Sequence, residues 1–436
     1  MRDAPPRRYI RVGRVFCATG PTVPRDGQTV EEIGAVADGE VIDDAVVQVV
    51  GTRIGAVGPA HRITIPSGAE VIDLPGTTLL PGLVDAHVHM MIRQRETFTD
   101  LCRTHDDSQL LVRSAAHARQ MRDAGVTTAR DCGSRGTFLQ ALRDGIADRL
   151  LPGPRLLVCG PPITSTGGHL WSCGGEVDTA DEARTLSRRL IRDGVDFIKV
   201  MATGGRMTPG TNVGRAQFSE AELRAIVDDA HRLGRPVAAH VLGTEGMAHA
   251  VRAGVDTLEH GNWLDEDGHA VAFDDGLARE MAARGCYRNM ATQPSRVLAE
   301  RPKSTPLGAN ERRDMADHQE RWHWFRRGLE LGIPSFFSTD AIFGQWEDAC
   351  PDLAWLTIFV AERGGIPVPL ALRMVTSVAS AALGLDHEIG TVAPGRIADL
   401  LVVRGDPVSD PRALRDVVAV FQSGERTVWA VSGAVA

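Results

Sequence analysis

Between residues 126 and 338 apolar residues come in short blocks, and the blocks alternate with stretches of helical period. Val195-Asp-Phe-Ile-Lys-Val-Met201, Pro236-Val-Ala-Ala-His240 and Val255-Asp-Thr-Leu-Glu-His260 are such blocks, too short for helices and rich in β-branched residues. A punctuated helical stretch precedes each. Thr179-Ala-Asp-Glu182 and Ser219-Glu-Ala-Glu222 are capping boxes, in which hydroxyl and carboxylate satisfy each other's backbone donors. Their helices stop at Gly194 and Gly234, and a third, opened by Thr244-Glu245, stops at Gly254. Strands alternating with helices predict a parallel sheet. The same rhythm extends to Val126–Asp131, Arg155–Cys159, Gly285–Asn289 and Ile333–Ser338, and to the run from Thr78 to His89. That makes eight strands, and residues 80–388 are of a size for a (β/α)8 TIM barrel with insertions.

The chain ends differ. Ala45–Val50, Arg53–Val57 and Glu70–Leu74 are β-branched runs broken by Gly and Pro, and no helical period stands among them. Asp399–Val403, Val417–Phe421 and Arg426–Val431 repeat the pattern. The expectation is an α/β protein: a barrel over 80–388 and a small β-sandwich domain built from 1–79 and 389–436.

Composition changes this picture little. With 43% apolar and 24% charged residues, the 436-residue chain reads as soluble and globular. A formal charge of −8 gives no basic footprint for nucleic acid. No 18-residue apolar run or secretory h-region is apparent, so neither a membrane nor secretion is expected. Seven scattered cysteines (17, 102, 132, 159, 173, 286, 350) without CxxC fit a reducing cytoplasm rather than a disulfide framework. One bias is useful: of 48 basic residues only Lys199 and Lys303 are lysine.

Chemistry in such barrels sits at the C-terminal strand ends. Those ends carry His87 and His89, then Lys199, His240, His260 and Asp340. His87 and His89, two apart on a strand, point to one face and can reach one ion. Each has a bland reading: an isolated histidine is often a core residue, and Asp340 suits a helix cap. Lys199, inside Phe-Ile-Lys-Val-Met, is harder to dismiss, because a lone buried ammonium is costly. Carbamylation by CO2 would remove its charge.

Taken with Pro81-Gly-Leu-Val-Asp-Ala-His-Val-His89 and Gly390-Thr-Val-Ala-Pro-Gly-Arg-Ile-Ala-Asp-Leu400, these residues resemble the amidohydrolase superfamily in its binuclear branch with a carboxylated lysine. Phe197-Ile-Lys-Val-Met-Ala-Thr-Gly-Gly205 and Gly167-Gly-His169 are similar to imidazolonepropionase-related, Xaa-Pro dipeptidase-like members. The resemblance implies two divalent metal ions, zinc foremost. His87, His89 and Asp340 would hold one, His240 and His260 the other, and a CO2-derived carbamate on Lys199 would bridge them. It implies a metal-bridging hydroxide that attacks an amide-type C–N bond of a small molecule such as a dipeptide, N-acyl amino acid or cyclic amide. Asp340 would shuttle the proton and His169 would face the oxyanion. Trp171, Arg206 and Arg215 are candidate pocket residues, each with a plain packing or solvated reading. Phe218 stands where those relatives carry a tyrosine, which puts C-terminal carboxylate recognition in question. Trp322 and Trp324 could form a wall or simply core.

Three other readings stay open. A mononuclear deaminase of a heterocycle shares HxH, His and Asp, but uses HxxE and needs no lysine. Here Val-Leu-Gly follows His240. A lactone, carbamate or organophosphate hydrolase could use the same site. A non-catalytic barrel is disfavoured by six filled ligand positions. A homo-oligomer is compatible with the sequence.

Overall fold

The computed structural model describes residues 6–24, 28–93, 96–291, 309–343 and 353–429, with the backbone alone at 309–319 and 342–343. Lys303 and Cys350, and the end of the 426–431 run, lie outside them.

Seven strands come from the chain ends: β1 (Arg7–Phe16), β2 (Val41–Val50), β3 (Arg53–Pro59), β4 (Glu70–Pro81), β14 (Leu400–Arg404), β15 (Val417–Gln422) and β16 (Glu425–Trp429). They pair in the order β16-β15-β14-β4-β1-β2-β3. The two ends thus meet where β4 runs antiparallel to β14, Leu79 opposite Val402. This pairing is one continuous sheet, not the two sheets of the expected sandwich. The reason is β4 itself, 12 residues long, which pairs with β1 and with β14. A short helix, Val30–Gly34, also stands here, capped by Thr29 and Glu32, where no helical period is legible.

The middle supplies β5 (Leu83–Arg93), β6 (Val126–Asp131), β7 (Arg155–Val158), β8 (Ile198–Met201), β9 (Val237–Gly243), β10 (Thr257–Leu264), β11 (Tyr287–Ala291), β12 (Ser335–Ser338) and the short β13 (Ala341–Phe343). The eight expected strands are all present. β9 is buried at every residue, as befits a parallel strand covered on both faces. Both capping boxes form, at Thr179/Glu182 and Ser219/Glu222, and Gly254 closes its helix in the left-handed conformation at φ 93°.

These strands make two parallel arcs, β13-β5-β6-β7 and β12-β11-β10-β9-β8, rather than one closed ladder. The arcs adjoin at two seams. Ile163 bridges Val200, with Ile163 N to Lys199 O and Met201 N to Ile163 O both at 2.8 Å. Asp340 N donates to His87 O at 2.9 Å. At the first seam Asp196 N also donates to Val158 O at 2.8 Å, and left-handed backbone stands beside each seam, at Gly160 (φ 64°) and Asp340 (φ 49°). Gly82 joins β4 to β5 at a close approach: a Cβ there would meet the Thr127 side chain at 2.1 Å. Among the described residues no helix is long and apolar enough to cross a membrane.

Candidate metal centre

β5 presents Asp85, His87 and His89 on one face, as strand alternation requires. His87 Nε2 and His89 Nε2 each lie 3.5 Å from Asp340 Oδ1. The ligand atoms of these three residues fall within 4.8 Å of one another. The His260 ring centroid is 5.4 Å from that of His87 and 4.8 Å from that of His240. His169 closes the row, 4.6 Å from His240. Lys199 is 1% exposed, and among the described residues its Nζ has no hydrogen-bond partner. The structure therefore brings together His87, His89, His240, His260, Asp340 and His169, with Lys199 buried in the wall beside them.

Two of these residues reach the site through strained backbone. His260 and Asp340 have φ 70° and 49°, left-handed values that cost a non-glycine residue on the order of 1–3 kcal/mol. Each ends a strand. In β10 the turn at His260 breaks the alternation, so that Glu259 and His260, neighbours in sequence, both face inward.

The donor set fits divalent cations. A carbonyl or carboxylate only accepts, so the ring nitrogen facing one must carry the proton. His87 Nδ1 faces Glu259 Oε2 at 2.7 Å, His240 Nε2 faces Gly204 O at 3.1 Å, and His260 Nδ1 faces Ala291 O at 2.9 Å. In each ring the other nitrogen keeps its lone pair, as a metal ligand needs. Burial, and then the Lys199 cation, hold His87 down to about 3. Burial likewise holds His89 at about 4 and His240 well below the ordinary histidine range, so all three are neutral near pH 7. Burial pushes the Asp340 carboxyl up, but His87, His260, His89 and Lys199 together pull it below its ordinary value.

Beneath the ligands lies a polar floor that the sequence reading passes over. Glu259 is fully buried and accepts from Arg130 Nη2 and Asn289 Nδ2, both at 2.6 Å. Asn289 Oδ1 accepts from Ser338 Oγ at 2.9 Å. Asp85 accepts from Thr339 N and Oγ1 at 3.1 and 2.6 Å, and burial raises its carboxyl to about 7. A signal existed. Arg130 in Val-Thr-Thr-Ala-Arg-Asp and Glu259 in Thr-Leu-Glu-His are charged residues inside strands otherwise bound for the core.

A family model described as the amidohydrolase family matches residues 78–435. The chain belongs to the amidohydrolase family. Among curated proteins, this amidohydrolase is 26% identical over 439 residues to ochratoxinase of Aspergillus niger, covering 92% of this chain and 83% of that one. It is 25% identical to imidazolonepropionase of Chloroflexus aggregans, covering 90% of each. Among solved structures, a Xaa-Pro dipeptidase with methionine bound in its active site superposes with a TM-score of 0.79 at 25% identity, over 96% of this chain and 99% of that one. The expected resemblance thus holds. The fold of these neighbours is a barrel with an added domain.

The outer candidates are more dispersed. Trp171 opens a short 3₁₀ turn and is half-buried, and Arg206 is exposed on the loop after β8. Arg215, also exposed, pairs with Glu266 at 3.1 Å. Phe218 is 4% exposed and belongs to an apolar core cluster with Leu223. Trp324 is buried in that cluster, and Trp322 packs on Phe359 with ring centroids 5.7 Å apart, so both tryptophans serve packing.

Proposed function

We propose that this amidohydrolase uses two divalent metal ions, zinc in the first place, to hydrolyse an amide-type C–N bond of a small molecule. His87, His89 and Asp340 would hold one ion and His240 and His260 the other, with a carbamate on Lys199 between them. The observation that carries the reading is Lys199 Nζ, buried among five ligand-type side chains and without a hydrogen-bond partner among the described residues. A bare ammonium there is costly. Loss of one proton frees the amine, and addition of CO2 to it releases a second proton and leaves a carboxylate that cations can pair with.

Bound there, the ions would supply Lewis acidity toward a carbonyl oxygen and toward the water that attacks it. The chain's own residues do the rest. Asp340, ionised, accepts the proton of the attacking water and delivers it to the departing nitrogen. Thr208 Oγ1 accepts from Leu170 N at 2.9 Å and lies 3.0 Å from His169 Nδ1, to which its own proton would be given in the catalytic tautomer. His169 Nε2–H is then a donor for the developing oxyanion. Gly205 leaves the space: a Cβ there would meet His169 Nε2 at 2.3 Å.

Relatives named for a dipeptide and for an imidazolone support a substrate among dipeptides, N-acyl amino acids and cyclic amides. With this goes an architecture: a (β/α)8 barrel over 80–388, closed through the two seams, and a small domain of residues 1–79 and 389–436.

Metal analysis with a substrate panel tests the reading. Two metals per chain are expected, with turnover of amides above lactones and carbamates. Lys199→Ala should lose the pair and nearly all activity, and short carboxylic acids should restore part of it. Two metals and wild-type rates in that variant would overturn the carbamate. One metal with ammonia release from a heterocycle would make the protein a deaminase.

A further inference from the structure

We propose that Glu259 is a positioning residue: held from behind by Arg130, it fixes the tautomer of His87 and so decides whether that ring can take a metal. The inference rests on the metal reading above and goes one layer beneath it.

The register of the sheet sets Glu259 beside His240 on one side and Asn289 on the other. From there its carboxylate spans the interior to His87 on the opposite arc. Its four contacts divide cleanly. Oε1 accepts from Arg130 Nη2 at 2.6 Å and from Thr257 Oγ1 at 2.7 Å. Oε2 accepts from Asn289 Nδ2 at 2.6 Å and takes His87 Nδ1 at 2.7 Å. Arg130 is itself fixed, with Nε on Ala86 O at 2.7 Å and its guanidinium 5.1 Å from the Phe197 ring centroid. Every group facing the carboxylate is a donor, so the site demands an ionised acceptor on both oxygens. Charge balance supplies one, because Arg130 and Glu259 are 3% and 0% exposed and neutralise each other. With Nδ1–H committed to Glu259, His87 has only Nε2 to offer, on the side of Asp340 and His89.

An amide cannot satisfy this arrangement. In Glu259→Gln the NH2 group must face either Arg130 or the His87 and Asn289 side. The first sets two donors against each other. The second turns His87 Nδ1 into an acceptor and moves the proton to Nε2, which removes the ligand. Outer partners of metal-binding histidines typically govern metal affinity by 10–100-fold.

Two measurements on the full chain test the proposal. The metal-free wild-type protein, labelled with [15N]histidine, should show His87 as the Nδ1–H tautomer. Its resonances are assigned by their loss in His87→Gln. An Nε2–H tautomer there would overturn the proposal without any variant of Glu259. Zn2+ is then titrated into metal-free wild type and Glu259→Gln against a chromogenic chelator, at a temperature where circular dichroism shows both folded. One of the two ions should bind about 10–100-fold more weakly in the variant, with the other unchanged. A purely structural role predicts a lower melting temperature with both metal constants intact, and that result would refute positioning. Absence of Zn2+ binding by the wild type would refute the metal reading instead, while leaving the tautomer result to stand or fall alone. If Glu259→Gln does not fold, Asn289→Ala replaces it. That variant releases one of the two bonds on Oε2 and should weaken the same ion by a smaller factor, and an unchanged constant would count against the proposal.

Discussion

Asp340 carries two demands that conflict in an ordinary residue. It must sit in left-handed backbone at the end of β12 and must stay ionised in a buried pocket. The first is met by the bond from Asp340 N to His87 O, the second by the surrounding imidazoles and Lys199. An ionised Asp340 can take a proton, which an amide leaving group needs and an activated ester does not. Asp340→Asn should therefore slow amide turnover by roughly 10²–10⁴-fold, and slow an activated ester of the same acyl group far less. Steady-state rates on the matched pair check this, and equal losses would remove the shuttle. At this scale the sequence is legible where a residue stands at the C-terminal part of an apolar strand, which is why the six candidate ligand positions can be named without coordinates. It is not legible for Glu259, Arg130 and Asn289. Their role depends on which strands face each other across the interior, and His87 and Glu259 are 172 positions apart.

Between elements, a fully buried ion pair ties the N-terminal segment to the helix Val368–Met374. Arg373 and Glu40 are both fully buried and paired. Arg373 Nε donates to Glu40 Oε1 at 2.7 Å, Nη1 to Ile33 O at 2.6 Å and Nη2 to Ala35 O at 2.7 Å. Glu40 also accepts from Gly20 N and Ala37 N, each at 3.0 Å. Gly20 is required by contact, since a Cβ would sit 2.3 Å from the guanidinium. Removing one partner leaves an uncompensated buried charge, so Arg373→Met should cost about 3–5 kcal/mol in denaturant unfolding. Adding Glu40→Gln should recover part of it. A double variant no better than the single would show that the packing of Arg373, not its charge, is what matters. Neither residue stands out in the sequence, because one lies in a loop and the other on a helix. The strands were readable for the opposite reason: they are short, mostly buried runs that alternate with helices closed by Gly194, Gly234 and Gly254. β1 was not, since Arg7, Arg8, Arg11 and Arg14 interrupt its apolar positions and mask the alternation.

At the scale of the whole molecule, β4 is the hinge of the architecture. Its start pairs with β1, its end with β14, and one residue later the chain enters β5 with the candidate ligands His87 and His89. Gly82 N is held by Asp399 O at 2.9 Å, so the C-terminal strand region fixes the point where the ligand strand begins. The tail also seals an apolar face: Leu400, Val402, Ala419 and Phe421 are fully buried in a cluster with Ile10, Val47 and Leu79. Removing residues 400–436 would strip β14, β15 and β16 from the sheet. It would leave the edge of β4 unpaired over Thr77–Pro81, five residues of open backbone donors and acceptors beside exposed apolar side chains. Such an edge templates aggregation. The truncated chain should accordingly be recovered insoluble, and any soluble fraction should bind less metal than the full chain, because Asp399, which anchors Gly82, is no longer held in place by β14. Centrifugal partition and metal content per folded chain measure the two effects separately. A soluble truncation holding both metals would show that the barrel folds without the sheet, and that the two chain ends form an appendage rather than part of the frame on which His87 and His89 are set.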